Sequence, residues 1–250
     1  AARVAMIADA ASWALVVGAA FVAAVGGGAG GFGTGVILTA VLVPMIGVKA
    51  VVPVLALAGI VINAGRFWFY RAHVDWAVTR RVLAAALPLL VAGTFVYAKL
   101  DPRPLGVLIG VLVILSIPLR RTLKARDVRV GPRGLLAGGA VFGFTNGFAS
   151  GMGVIMITLL LGAGMTGTAV LATDALVAIA TDLVRSAMFG RFELLDPATA
   201  TLGLAIGAVT LPGSAVAAFL VKRLHARLHV LFMEGLIVVG GAMIVWNSLR

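Results

Sequence analysis

The sequence predicts an all-α membrane protein built from two inverted-topology repeats, each a broken or re-entrant helical hairpin plus three transmembrane helices. Three observations predict it. Of 250 residues, 62% are hydrophobic and only 12% charged, with a mean hydropathy of +1.14, far outside the range of water-soluble domains. Apolar runs recur from end to end and leave no stretch for a soluble domain. Two pairs of these runs are cut short by glycine-rich segments at corresponding places in two halves. The expectation is a single polytopic membrane domain over 1–250, with repeat 1 at 11–119, a cytoplasmic linker at 120–133 and repeat 2 at 134–250.

In chain order, the first apolar run is 11–25. A helix rising about 1.5 Å per residue needs roughly 20 residues to cross a 30 Å hydrocarbon core, so this run is too short. It is one of many such runs rather than a lone leader segment. Then comes "VGGGAGGFGTG" at 25–35, with seven glycines in eleven positions. Glycine inside a helix costs about 1 kcal/mol relative to alanine, so a cluster this dense predicts a break. The run 35–46 is again short, and the two together read as a broken hairpin. Full-length candidates follow at 48–70, 80–98 and 103–119. After the basic stretch "RRTLKARDVRVGPR" (120–133), short runs at 134–147 and 153–164 flank "TNGFASGMG" and read as a second broken hairpin. The runs 167–189, 198–221 and 229–247 complete the second half.

The excess of 20 Lys+Arg over 9 Asp+Glu, formally +11, serves first to orient such a chain. The densest basic loop, 120–133, is placed in the cytoplasm, and 71–81 and 222–227 then fall on the same side. Loops 99–103 and 190–197 and both chain ends fall outside. The basic residues sit in short loops without a basic helix or aromatic stacking platform, which argues against nucleic-acid binding. No cysteine is present, so disulfides and thiolate metal sites are excluded, and three histidines argue against a histidine metal cage. No G-x-x-x-x-G-K-[ST] loop and no H-E-x-x-H occurs, and Ser150 has no histidine at membrane depth. These absences speak against direct ATP use and against an intramembrane enzyme. No cofactor or metal is expected.

Laid over the first half, the second half agrees in three blocks. Gly33, Gly35, Val36 and Ile37 in "GTGVIL" match Gly151, Gly153, Val154 and Ile155 in "GMGVIM". Asn63 and Arg66 in "NAGR" match Asp182 and Arg185 in "DLVR". Pro88, Phe95, Lys99, Leu100 and Arg103 match Pro212, Phe219, Arg223, Leu224 and Arg227. The loop orientation sets Arg66 near the cytoplasmic end of its helix and Arg185 near the outer end of its own. The halves therefore have opposed topology, the arrangement of many secondary transporters, whose discontinuous helices meet at mid-membrane around the substrate. The glycines at 26–35 and 147–153 would let two hairpin tips approach and expose peptide N–H groups, which favour an anion.

The stretches "VGGGAGGFGTGVILTAVLVP" (25–44), "GVKAVV" (47–52) and "YRAHVDW" (70–76), with the glycine-rich echo in the second half, resemble the sulfite exporter TauE/SafE family over nearly the whole chain. The resemblance implies export of small sulfur-containing anions, such as sulfite or organosulfonates, across a bacterial inner membrane by a multi-pass protein. The second repeat departs from the first, with Gly162 where the first has Pro44 and "TNGFASG" in place of the triple glycine.

The candidate substrate-binding residues are Gly31, Gly33, Thr34, Gly35, Asn63, Arg66, Asn146, Ser150, Gly151, Gly153, Asp182 and Arg185, with Asp174 as the proton-coupling candidate. An arginine's planar fork suits an oxyanion, but each arginine could equally snorkel to an interface from one turn inside its helix end. Asp182 lies three residues before Arg185 on one helix face and could simply neutralise it, whereas Asp174 has no such neighbour in sequence. Asn146, Thr145, Ser150 and Thr34 suit either helix capping or anion ligation. Thr39 and Thr158 could line the same cavity or bond back to their own helices. His73 beside Asp75 reads as a loop contact, His225 and His229 as interfacial residues, Trp68, Trp76 and Tyr70 as a headgroup belt. The step Gly203 to Gly207 predicts close helix packing.

The expected function is a secondary transporter exporting a small sulfur anion by alternating access, coupled to an ion or to the membrane potential. The alternative is an anion channel or a transporter of another small anion. Its partners are the small anionic substrate and the lipid bilayer, with homo-oligomerisation left open.

Overall fold

The computed structural model describes residues 10–28, 34–125, 129–220 and 226–249. They form ten α-helices, and no strand occurs among the described residues: α1 (Ala10–Gly28), α2 (Thr34–Ile46), α3 (Val48–Tyr70), α4 (Trp76–Lys99), α5 (Pro102–Ala125), α6 (Pro132–Phe148), α7 (Gly153–Gly162), α8 (Gly167–Arg191), α9 (Pro197–Leu220) and α10 (Ala226–Leu249). Helix is the only open structure that satisfies every peptide group within its own segment when no water is available.

That demand overrides one expectation. The run 11–25 was to stop at the glycine cluster, yet α1 continues through Gly26, Gly27 and Gly28 to 19 residues, about 28 Å at 1.5 Å per residue. In an apolar surrounding, an unpaired peptide group costs more than the backbone entropy a glycine loses. The same balance keeps Pro44, Pro53, Pro88, Pro118 and Pro212 inside α2, α3, α4, α5 and α9. Among the described residues, three segments are long and apolar enough to cross a membrane: α3 with the short turn Arg71–His73, α4 and α8. Helices α5, α9 and α10 have 24 residues each, but their described apolar stretches are shorter (Pro102–Leu115, Pro197–Pro212, Val238–Leu249). Side chains such as Phe95, Val141, Leu161, Leu183, Leu204 and Val239 are exposed on outer faces, where lipid would cover them.

Helices α3 and α8 cross antiparallel at the centre: Arg66 meets Asp174, while Gly59, nearer the start of α3, abuts Asp182 further along α8. Around this pair, α4 packs on α6 and on α8, α9 packs on α1 and on α3, α10 on α2, α7 on α5, and α5 on α10. Small residues bring backbones close where hydrophobic association offers no drive in lipid. Gly139, Gly143 and Gly147, at successive i, i+4 positions of α6, lie against backbone atoms of Val82, Ala86 and Leu90 on α4. Gly203 and Gly207 of α9 lie against Val54, Ala58 and Val61 of α3, the close packing their spacing predicts.

Two polar caps fix the loops. Asp75 caps α4, its carboxylate accepting from the N–H groups of Ala77 and Val78 at 2.9 Å each. Its own N–H donates to Thr173 Oγ1 on α8 at 3.1 Å, so the 71–75 segment is strapped to the first turns of α8. Asp196 caps α9 through Thr199 N–H and Thr199 Oγ1, both at 2.8 Å, and these bonds hold its carboxyl below the usual carboxylate range.

Candidate functional site

The break between α6 and α7 is built by Ala149–Met152. Ala149 N–H closes the last turn of α6 onto Thr145 O at 3.0 Å, and Gly151 then takes φ +91°, a backbone region that disfavours side chains. A Cβ on Gly151 would overlap Val36 of α2, and one on Gly35 would sit 3.2 Å from Gly151 N. The first described turn of α2 and the α6–α7 break are thus in backbone contact. Helix α7 starts here, and the opening N–H groups of a helix lack intrahelical partners.

Between these tips and the α3–α8 crossing lies a cavity of about 130 Å³. It is lined by Thr34, Gly35, Asn63, Arg66, Asn146, Ser150, Gly151, Gly153, Asp174, Asp182 and Arg185, so eleven sequence candidates share one space. Gly31 and Gly33 lie outside the described residues. Leu38, Leu55, Ile62 and Phe142 supply apolar wall.

The charges are arranged unequally. Arg185 is buried, donating from NH2 to Asp182 Oδ1 at 2.7 Å and from NH1 to Asn146 O at 2.6 Å. Among the described residues its Nε–H has no partner, nor has the buried Ser150 hydroxyl. Arg66 donates from NH1 to Asp174 Oδ2 at 3.0 Å. This corrects the sequence reading of Asp174 as unaccompanied: its partner lies 108 residues away, delivered by the helix crossing. Lys49, the other cation in α3, is occupied elsewhere, donating to Tyr97 O at 2.8 Å and Ala98 O at 3.0 Å at the end of α4.

Several polar candidates turn inward on their own helices. Asn63 Nδ2 donates to Gly59 O at 2.8 Å, Thr39 Oγ1 to Gly35 O at 2.7 Å, and Thr158 Oγ1 to Val154 O at 2.8 Å. Thr145 Oγ1 donates to Val141 O at 2.8 Å and to Phe142 O at 3.1 Å. Two site residues escaped the sequence reading. Thr181, buried, accepts from Asn146 Nδ2 at 3.4 Å and steadies the residue whose carbonyl holds Arg185. Gly59 gives Asp182 its room, since a Cβ there would collide with the carboxylate. Thr181 immediately precedes Asp182, and Gly59 lies one turn before Asn63, so adjacency was the available signal. Among the described residues, no three of the metal-ligating types converge.

The sulfite exporter TauE/SafE family model matches residues 16–244, nearly the entire chain. The chain belongs to this family. TauE/SafE is a transporter family, and membership implies a membrane exporter of sulfite-type sulfur anions. No curated protein and no solved structure matches the chain.

Proposed function

We propose that this TauE/SafE protein is a multi-pass secondary transporter of the bacterial inner membrane that exports sulfite or a small organosulfonate by alternating access. The observation that carries this reading is the cavity where the first described turn of α2 meets the α6–α7 break, with two arginines and two buried donors, Ser150 Oγ and Arg185 Nε, that have no partner among the described residues. Leaving a buried donor unmatched costs about 1–3 kcal/mol, which an oxyanion's oxygens would recover. A volume of about 130 Å³ corresponds to roughly four waters, the scale of an inorganic anion or a very short sulfonate.

The moving parts are two inverted repeats, 11–119 and 134–250, joined by a cytoplasmic linker at 120–133. The helix packing supports this assignment. Exchanging α1–α5 with α6–α10 turns the α4–α6 contact into α9–α1, α3–α9 into α8–α4, and α2–α10 into α7–α5, all of which occur. The α3–α8 and α5–α10 contacts map onto themselves, and the antiparallel crossing of α3 and α8 is what opposed topology requires.

The membrane potential alone contributes about 2.3 kcal/mol per charge per 100 mV to the exit of an anion from a negative interior. Asp174 is the proposed proton-coupling group, because a carboxylate that yields its arginine to the substrate is left as a lone charge in a dry wall unless it takes a proton.

The test is binding and proteoliposome efflux with sulfite, sulfoacetate, taurine, sulfate and an acetate control. Saturable efflux of a sulfur anion is expected, weakened at least about tenfold by Arg66→Ala and by Arg185→Ala, since a hydrogen bond to a charged group is worth about 1.5–3 kcal/mol. Non-saturating conductance would identify a channel instead, and unchanged affinity in both variants would remove the arginines from the site.

A further inference from the structure

The two arginines that the repeat sets in equivalent positions stand in unequal surroundings, and the inequality assigns them different tasks. Arg185 is 3% exposed, lines the cavity, is fixed on two protein acceptors, and has no partner for its Nε–H among the described residues. Its carboxylate, Asp182, lies on the same helix, so no relative motion of α3 and α8 can separate them. The Arg66 side chain is 21% exposed, and its carboxylate, Asp174, belongs to the other half of the chain. This pair spans the α3–α8 interface and opens whenever those helices part.

The sequence adds a second asymmetry. At the offset that sets Asn63 on Asp182 and Arg66 on Arg185, the counterpart of Asp174 is Leu55, a buried apolar wall residue. The first half therefore brings no carboxylate to Arg185 as the second half brings one to Arg66. Two guanidinium groups and two carboxylates balance in the cavity, so an entering anion competes with a carboxylate for the full fork of a second arginine. Asp182 cannot withdraw from its own helix neighbour, whereas Asp174 can.

Resting on the functional reading above, we infer that the Asp174 carboxylate is an internal stand-in for the transported anion: it holds Arg66 in the empty carrier, yields it when substrate docks on Arg185, and reclaims it to release the substrate. Arg185 is the standing anchor, and Ser150 lines the same cavity. Arg66 is a conditional ligand, and Asp174 sets how tightly the anion is held. The 71–75 segment is strapped to Thr173, the residue next to Asp174.

The experiment is equilibrium binding of sulfite and sulfate to purified wild type, Asp174→Asn, Arg66→Gln and the double variant, with sulfite efflux from proteoliposomes alongside. Removal of an internal competitor tightens binding, so Asp174→Asn should bind on the order of tenfold tighter while releasing anion more slowly. Arg66→Gln leaves Asp174 unpaired beside the substrate and should bind more than about tenfold weaker, and adding Asp174→Asn should recover much of that loss. A purely architectural ion pair gives the opposite sign, with Asp174→Asn melting lower and binding no tighter, and that result overturns the inference. Asp174→Ala carries the same expectation and serves if the asparagine variant does not fold. A wild type that binds neither of these anions nor sulfoacetate nor taurine overturns the functional reading and this inference together, whereas a binding wild type with no tightening in either Asp174 variant overturns this inference alone.

Discussion

Substituting Gly143 by alanine tests the tight seam between α4 and α6. A Cβ at Gly143 would lie 2.6 Å from Ala86 Cα and 2.7 Å from Ala86 C, and closer still to its carbonyl oxygen. These atoms belong to the α4 backbone and cannot rotate away. Relief requires the helices to part by roughly 0.5–1 Å, a gap that forfeits a quarter to a half of the dispersion well for each atom pair along the seam. Overpacking of this kind costs about 1–3 kcal/mol, and contact with backbone sets it at the upper end. Alanine's better helix propensity returns up to about 1 kcal/mol, leaving a net loss of about 2 kcal/mol. For a chain of this size, 1 kcal/mol moves the melting temperature by about 2–4 °C, so Gly143→Ala should melt about 4–8 °C below wild type. The assay is heating of detergent-purified protein followed by size-exclusion chromatography. The control is Gly190→Ala in α8, which meets nothing within 4 Å and has no positive φ, and should melt no lower than wild type. If Gly143→Ala melts with wild type while Gly190→Ala behaves as stated, backbone contact between α4 and α6 is not what holds this seam.

Three further outcomes follow from the site and its caps. Gly151→Ala combines a φ of +91° with a collision against Val36, so it should weaken sulfite binding at least about tenfold by parting the tips. Gly164→Ala, at φ +84° with open space around it, should bind as wild type, and equal affinity in the two variants would show that the tips need not touch. Arg185→Gln strands the buried Asp182 carboxylate and should cost about 3–5 kcal/mol of stability, visible as lost yield of folded protein. Adding Asp182→Asn should restore yield without restoring anion binding, and restored binding would exclude Arg185 as the anchor. Asp196→Ala removes the α9 cap and should cost about 1 kcal/mol at pH 7. Because the folded carboxyl titrates below its ordinary 3.8, the wild-type advantage is present above that pH and vanishes as pH falls through the folded value. The difference in melting temperature between the two proteins should therefore narrow as the pH is lowered below 3.8, and a gap that stays constant over that range would assign the effect to packing rather than charge.

Much of the helix layout was legible in the sequence, because it depends on local sums. The runs 48–70 and 167–189 reappear as α3 and α8 with nearly the same ends, and the break around Gly151 lies where "TNGFASGMG" interrupts two apolar stretches. The glycines at 26–28 were misjudged because their propensity was weighed as in water, whereas an apolar surrounding raises the value of every intrahelical hydrogen bond. The stripe Gly139, Gly143, Gly147 was present in the sequence at i, i+4 spacing, as plainly as Gly203 and Gly207. Asp174 was different in kind. Nothing within reach along its own helix accounts for it, and its partner comes from another helix.

By itself the sequence determined that this chain is greasy helix, that two apolar stretches part around "TNGFASGMG", and the TauE/SafE family to which it belongs. These properties follow from transfer free energies and backbone preferences that add up residue by residue. Only the tertiary structure decided that the first described turn of α2 touches the α6–α7 break, that Arg66 is held by Asp174 while the Nε–H of Arg185 has no partner among the described residues, and that both arginines line one small cavity. Those outcomes depend on how α3 crosses α8, and a crossing between helices about a hundred residues apart is set by the packing of whole surfaces, which no local window of sequence contains.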